Sequence, residues 1–139
     1  MTASFIIDCS ITMTWCFRDE ATEASSRIQE RLASETALVP GHWFLEVANV
    51  LAMAEKRRRI TSAKSDEFVR LLQLMDFEVN DEGPGRAFEH VLPLCRAQGL
   101  TSYDAAYLDV ALRHRLPLAT LDKDLRAAAR KLGIKVLGR

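Results

Sequence analysis

Three cysteines, three histidines and no excess of charge of either sign limit what this chain can be. Cys9, Cys16 and Cys95 are odd in number and share neither a C-x-x-C nor a metal-ligand spacing. That speaks against a disulfide framework and a thiolate metal site, and free thiols in a reducing cytoplasm are expected. His42, His90 and His114 are scattered and form no H-x-x-x-H pair, so a histidine-rich zinc site has no support. Nineteen basic residues offset nineteen acidic ones. A global electrostatic case for nucleic acid or membrane is therefore absent, and local charge distribution has to decide. No run of about 18 apolar residues occurs, so no membrane span is expected. The opening "MTASFIIDCS" has no basic leader and no small-residue cleavage site, so no signal peptide is expected either. Repeats, low-complexity tracts and linkers are also missing.

What remains is a globular balance: 139 residues, 48% hydrophobic and 27% charged, read as a single domain over residues 1–139 with one core. The apolar period alternates between strand-like and helix-like segments. "SFIID" is a short continuous apolar run of the kind found in a central parallel strand. A turn follows, then a helical segment, "EATEASSRIQERLAS". "ALVP" is a second strand, ended by Pro40 and Gly41. A helix is expected from His42 to about Arg59, and another from Ser62 to about Met75. "FEVN" is a third strand, closed by "DEGPG". Helices over Gly85–Gln98 and Ser102–Arg115 precede a fourth strand, "PLATLD". A last helix from Lys123 ends before Gly133, and "IKVLG" is a fifth strand. Short strands separated by helices predict an α/β domain with a parallel sheet.

In an open parallel sheet, sites form beyond the carboxyl ends of the strands, where strand order reverses. Asp8 ends the first strand and Asp122 the fourth, so both face one crevice if those strands are neighbours. Asp104 opens a helix in "TSYDAAYLDVA". Glu46 projects from the apolar helix "HWFLEVANVLAMA", with Asn49 three positions on and so on the same face. Each acid has a plain structural reading. Asp8 and Asp122 can cap the following helix. Asp104, three residues after Thr101, fits a variant capping box. Glu46, placed inside its helix among apolar neighbours, has no capping role, and its structural reading is a buried ion pair or a partly exposed edge.

Taken together, four carboxylates from four elements repel unless a cation sits among them. Hard oxygen ligands suit Mg²⁺ or Mn²⁺, one or two ions, which can activate water, orient a phosphodiester and stabilise the leaving oxygen. Asn49 is then placed to orient a carboxylate or a bound water.

"FIIDCS", "LEVANVL", "TSYDAAYLDVA" and "TLDKDL", in this order and spacing, resemble the PIN-domain family. More narrowly they resemble the VapC-type ribonuclease toxins of prokaryotic toxin–antitoxin pairs, and the likeness runs over essentially the whole chain. It implies a three-layer α/β/α domain with a five-stranded parallel sheet in the order 3-2-1-4-5. It maps the family's acids onto Asp8, Glu46, Asp104 and Asp122, and its supporting polar positions onto Ser10, Asn49 and Thr120. It further implies a Mg²⁺- or Mn²⁺-dependent endoribonuclease, usually dimeric, held inactive by a cognate VapB-like antitoxin whose tail enters the acidic groove. Cys9 departs from a position that is usually small or aliphatic. Asp124 is an extra acid near the site, and Asp109, off the helical face of Asp104, reads as solvated or salt-bridged.

Lys56, Arg57, Arg58, Arg59 and Lys64 follow the Glu46 helix. They are either a solvated helix end favoured by the helix dipole or the cations that hold RNA phosphates. "RAAARKLGIK" is a second candidate. Trp15, Phe17, Trp43 and Phe44 can stack bases or, as most such residues do, pack in the core.

Other readings fit less well. A haloacid-dehalogenase-type phosphatase needs a second Asp two positions after Asp8, where Ser10 stands. A receiver domain lacks its paired acids and its lysine. A non-catalytic PIN-like module that binds RNA or protein through the same groove is the alternative from another class.

Overall fold

The computed structural model describes residues 2–138. Five parallel strands form one sheet in the order β3-β2-β1-β4-β5, as the resemblance implied. They are β1 (Phe5–Ile7), β2 (Ala37–Pro40), β3 (Phe77–Asn80), β4 (Leu118–Ala119) and β5 (Val136–Leu137). All three residues of β1 are fully buried, Phe5 and Ile7 on one side and Ile6 on the other. A strand buried on both faces needs helices on both faces, which gives the three-layer α/β/α architecture. Each such side chain stabilises the fold by roughly 1.5–3 kcal/mol.

The helices are α1 (Cys9–Thr14), α2 (Glu23–Arg31), α3 (Trp43–Lys56), α4 (Ser62–Gln73), α5 (Gly83–Arg86), α6 (Leu92–Gln98), α7 (Ser102–His114) and α8 (Lys123–Lys131). Short polar side chains start most of them. Thr22 and Ser25 form a reciprocal capping box on α2, and Thr61, Thr101 and Asp122 cap α4, α7 and α8. The fold centres on α7, which buries Ala105, Tyr107, Leu108, Val110 and Ala111 and lies against β1, β2 and β4.

Three expectations are revised. The turn after β1 is a helix: α1 begins at once because the Asp8 carboxylate accepts from Ile11 N at 3.2 Å. The helix expected over Gly85–Gln98 breaks into α5, a π-helical turn at Ala87–Val91, and α6. Pro93, in the first turn of α6, has no N–H to donate backwards, and the widened turn absorbs that loss. Finally, the fourth and fifth strands are only two residues each. Among the described residues no helix is long and apolar enough to cross a membrane. The three cysteines are free.

Candidate active site

The chain runs β1 to β2 to β3 outward, then returns to lay β4 against the other edge of β1. The order reverses between β1 and β4, and their carboxyl ends open a crevice there. Asp8 leaves β1 at its floor and is 5% exposed. Two hydroxyls address it. Ser10 Oγ donates to Asp8 Oδ1 at 2.6 Å, and Thr120 Oγ1 donates to Oδ2 at 2.5 Å. Each hydroxyl is aimed by a backbone N–H that occupies its acceptor side. Leu121 N donates to Ser10 Oγ at 2.9 Å, and Asp122 N to Thr120 Oγ1 at 3.0 Å. These bonds favour the carboxylate, but burial outweighs them and pushes Asp8 up to about 6. The supporting positions Ser10 and Thr120 are thus brought onto Asp8.

Gly138 closes the floor. It adopts φ +108°, and a Cβ there would meet Ile11 Cδ1 at 2.7 Å and Thr120 O at 3.2 Å. Buried Arg126 donates to Thr120 O at 2.7 Å and to Leu137 O at 3.1 Å, tying the ends of β4 and β5 together.

The other acids rise from floor to rim. Asp122 and Asp124 are exposed, and Asp122 caps α8 by accepting from Leu125 N at 2.9 Å. Asp104 lies in the first turn of α7, its N–H donating to Thr101 Oγ1 at 3.2 Å, which is one half of a capping box. Its carboxyl is pushed up by burial and then by the charges of Asp122, Glu46 and Asp124, with His42 opposing. Glu46 likewise acts on Asp8. The four acids, with Asp124, therefore share one field.

Glu46 is not mid-helix: α3 begins at Trp43, so Glu46 lies in its first turn, where the helix dipole favours a carboxylate. Nor is this stretch deeply buried. Phe44 is 47% exposed and Leu45 74%, and the buried stripe is Trp43, Val47, Leu51 and Ala54. Asn49 is exposed and lines a shallow groove with Phe17, Val50, Met53 and Arg57. Tyr107 and His42, which carry no sequence motif, do reach Glu46. Tyr107 Oη donates to Oε1 at 2.6 Å, and His42 Nε2 lies 3.5 Å from the same oxygen. A tyrosine at a core position of α7 carries no sequence signal that separates it from packing.

Among the described residues, the ion pair at these acids is His42–Glu46, which requires a protonated imidazole. No group of three or more His, Cys, Asp or Glu among them is gathered to hold a metal ion. Mg²⁺ commonly takes one or two carboxylates and keeps several waters, so it does not need a three-ligand cage. An all-oxygen donor set with hydroxyl support and strong mutual repulsion fits a hard divalent cation. Cys9, beside it, is no nucleophile, because burial and the charges of Glu46 and Asp8 push its thiol up to about 12.

Asp109 stands apart from the site. It is buried and takes a bidentate bond from Arg86, at 2.7 and 2.9 Å, so it is salt-bridged and not solvated. Arg59 is also committed: it pairs with Asp19 and Glu20 and lies 4.0 Å over the Phe17 ring. Lys56, Arg57 and Arg58 are exposed at and just past the far end of α3, ten to twelve residues from Glu46, or about 15 Å at Lys56. Trp15, Phe17 and Trp43 are core residues. The exposed ring next to the acids is instead Tyr103, 62% exposed, 5.9 Å from the His42 ring.

A family model described as PIN domain matches residues 5–131. No curated protein matches the chain. Among solved structures, the crystal structure of PAE2754 from Pyrobaculum aerophilum is similar, with a TM-score of 0.70 at 22% identity over 96% of this chain and 83% of that one. At that identity the likeness bears on the fold alone.

Proposed function

This chain belongs to the PIN domain family, whose members are generally nucleases, and on that premise we propose that it is a metal-dependent endoribonuclease acting as the VapC-like toxin of a toxin–antitoxin pair. What supports the reading is the placement of Asp8 and Asp122 after β1 and β4, with the Glu46 charge acting on Asp8 and the Asp122 and Glu46 charges acting on Asp104. One or two Mg²⁺ or Mn²⁺ ions held by these acids would supply water activation and charge neutralisation at the scissile phosphodiester. The chain's own groups do the rest. Ser10 and Thr120 fix the rotamer of Asp8 and hold it as an acceptor. Asp104 and Asp122, nearer the rim, would hold the cation that lets an anionic phosphate approach these acids.

Lys56, Arg57 and Arg58 start about 15 Å from Glu46 and suit phosphates several nucleotides from the cut, not the scissile one. A VapB-like antitoxin would have to cover apolar surface as well as the acids. A cleft of about 370 Å³ lined by Trp43, Phe44, Val47, Leu51, Leu72 and Phe77 offers it. A homodimer is part of the same proposal.

Cleavage of total cellular RNA by purified protein tests the nuclease, with Mg²⁺ or Mn²⁺, with chelator, and against Asp8→Asn. Discrete fragments that need metal and vanish in the variant are expected. Metal-independent cleavage, or none from folded protein freed of inhibitor, leaves the non-catalytic binding module as the better reading.

A further inference from the structure

Tyr107 donates to one oxygen of Glu46, and the His42 ring packs beside that bond. Tyr107, 1% exposed on the sheet-facing side of α7, donates its phenol proton to Oε1 at 2.6 Å. His42 Nε2 lies 2.9 Å from the Tyr103 carbonyl and 3.5 Å from Oε1. A carbonyl only accepts, so this nitrogen carries a hydrogen and donates it to Tyr103, and its 3.5 Å separation from Oε1 is an electrostatic contact. The His42 and Tyr107 rings meet edge to face at 5.1 Å, which fixes the imidazole in turn. Among the described residues no hydrogen bond reaches Oε2.

Glu46 needs such a restraint. It is half-buried in the first turn of α3 and has three rotatable bonds, so holding it in one rotamer costs conformational entropy. A buried phenol needs an acceptor as much as Glu46 needs a clamp, since an unmet buried hydroxyl keeps its full desolvation penalty. Burial and the Glu46 charge hold the phenol protonated, so Tyr107 is a donor throughout the working pH range.

We propose that Tyr107, assisted by His42, is the positioning residue for Glu46. It engages Oε1 and so fixes the rotamer of the carboxylate that would hold a divalent cation. The inference rests on the metal-dependent reading above and adds to it the group that aims one ligand.

The test is Mn²⁺ binding without RNA, followed by calorimetry, together with the Mn²⁺ dependence of cleavage. Wild type, Tyr107→Phe, Glu46→Gln and the double variant are compared. Tyr107→Phe keeps the ring and loses only the donor. Its Mn²⁺ affinity should fall about 10–100-fold, the usual effect of removing an outer partner of a metal ligand. The larger part of its activity loss should lie in half-saturating Mn²⁺, not in kcat. In the Glu46→Gln background the same change should cost nothing further, because the phenol acts through that carboxylate. His42→Ala should weaken Mn²⁺ less than Tyr107→Phe, and His42→Gln, which restores a donor, should recover part of the loss.

If wild type binds Mn²⁺ and cleaves RNA while Tyr107→Phe matches it, the positioning role is wrong and the nuclease reading stands. Additive losses in the double variant also overturn the role, since they mean that Tyr107 acts through general packing. If wild type neither binds Mn²⁺ nor cleaves RNA, the nuclease reading falls and the positioning role falls with it.

Discussion

Thr120 gives its hydroxyl proton to Asp8 across 2.5 Å, although the two residues are 112 positions apart in sequence. The bond exists because β4 pairs with β1, Ile7 opposite Ala119, so that both strands end at the same level of the sheet. A site assembled this way has a rigid floor, Asp8 with its two hydroxyls, and a rim of acids carried on helix starts. The floor sets geometry and the rim meets solvent.

Asp104→Asn should abolish cleavage and leave the fold intact. Loss of a metal-site carboxylate removes several kcal/mol of transition-state stabilisation, or roughly 100-fold or more in rate. The same change relieves repulsion from Asp122, Glu46 and Asp124, so the melting temperature of the metal-free variant should rise. A variant that is both less stable and fully active would contradict this placement.

The metal-free protein should lose stability as pH rises from about 4 to 6. The folded state raises the Asp8 pKa from 3.8 to about 6, so it binds the proton more tightly than the unfolded chain does. That stabilisation is complete below the unfolded value and is lost as pH climbs through the folded one, by roughly 3 kcal/mol at most. Urea midpoints of wild type and Asp8→Asn across this range isolate the effect. The variant should gain on wild type with rising pH.

Asp109→Ala should unfold the domain more easily without touching the chemistry. It removes the acceptor of a part-buried bidentate pair and leaves the Arg86 guanidinium without that partner, so the urea midpoint should fall. Denaturation should show that loss. Cleavage per folded molecule, measured at low temperature, should match wild type.

Replacing Lys56, Arg57 and Arg58 together by alanine should weaken RNA binding and flatten its salt dependence. The log–log slope should change by about 2, at roughly 0.7 for each single-strand phosphate that is no longer neutralised. Arg59→Ala should chiefly lower stability, because its charge is already committed to Asp19, Glu20 and Phe17. Fluorescence anisotropy on the Asp8→Asn background separates binding from cutting.

Local pattern makes much of this legible. "FIID" carries both the burial of β1 and the acid at its end, and Asp122 announces a strand end and a helix start at once. Strand order is not in the pattern: β4 and β5 are two residues each, too short to show a period, and the resemblance supplies their neighbours. The helix α1 hides because six residues make under two turns. Glu46 looks interior because its flanks are apolar, yet the Phe44 and Leu45 side chains are exposed, a question of which face meets another layer. Tyr107 is silent for the same reason, since a bond between residues 61 apart depends on packing and not on spacing, whereas His42 stands four residues before Glu46, a helical spacing the sequence does carry. Arg59 is hidden in a run of like residues whose partners are far away in sequence.

The indole of Trp43 donates to Thr12 Oγ1 at 3.1 Å, and that hydroxyl donates to the Asp8 backbone carbonyl at 2.9 Å. A fluorophore thus hangs two hydrogen bonds from the floor of the crevice, shielded from water. Trp15, bonded to Ser25 O on another part of the molecule, supplies a steady background. Trp43 is thus placed as an optical gauge of the crevice floor, and its emission is expected to change when a ligand shifts the Asp8 backbone, with no label attached.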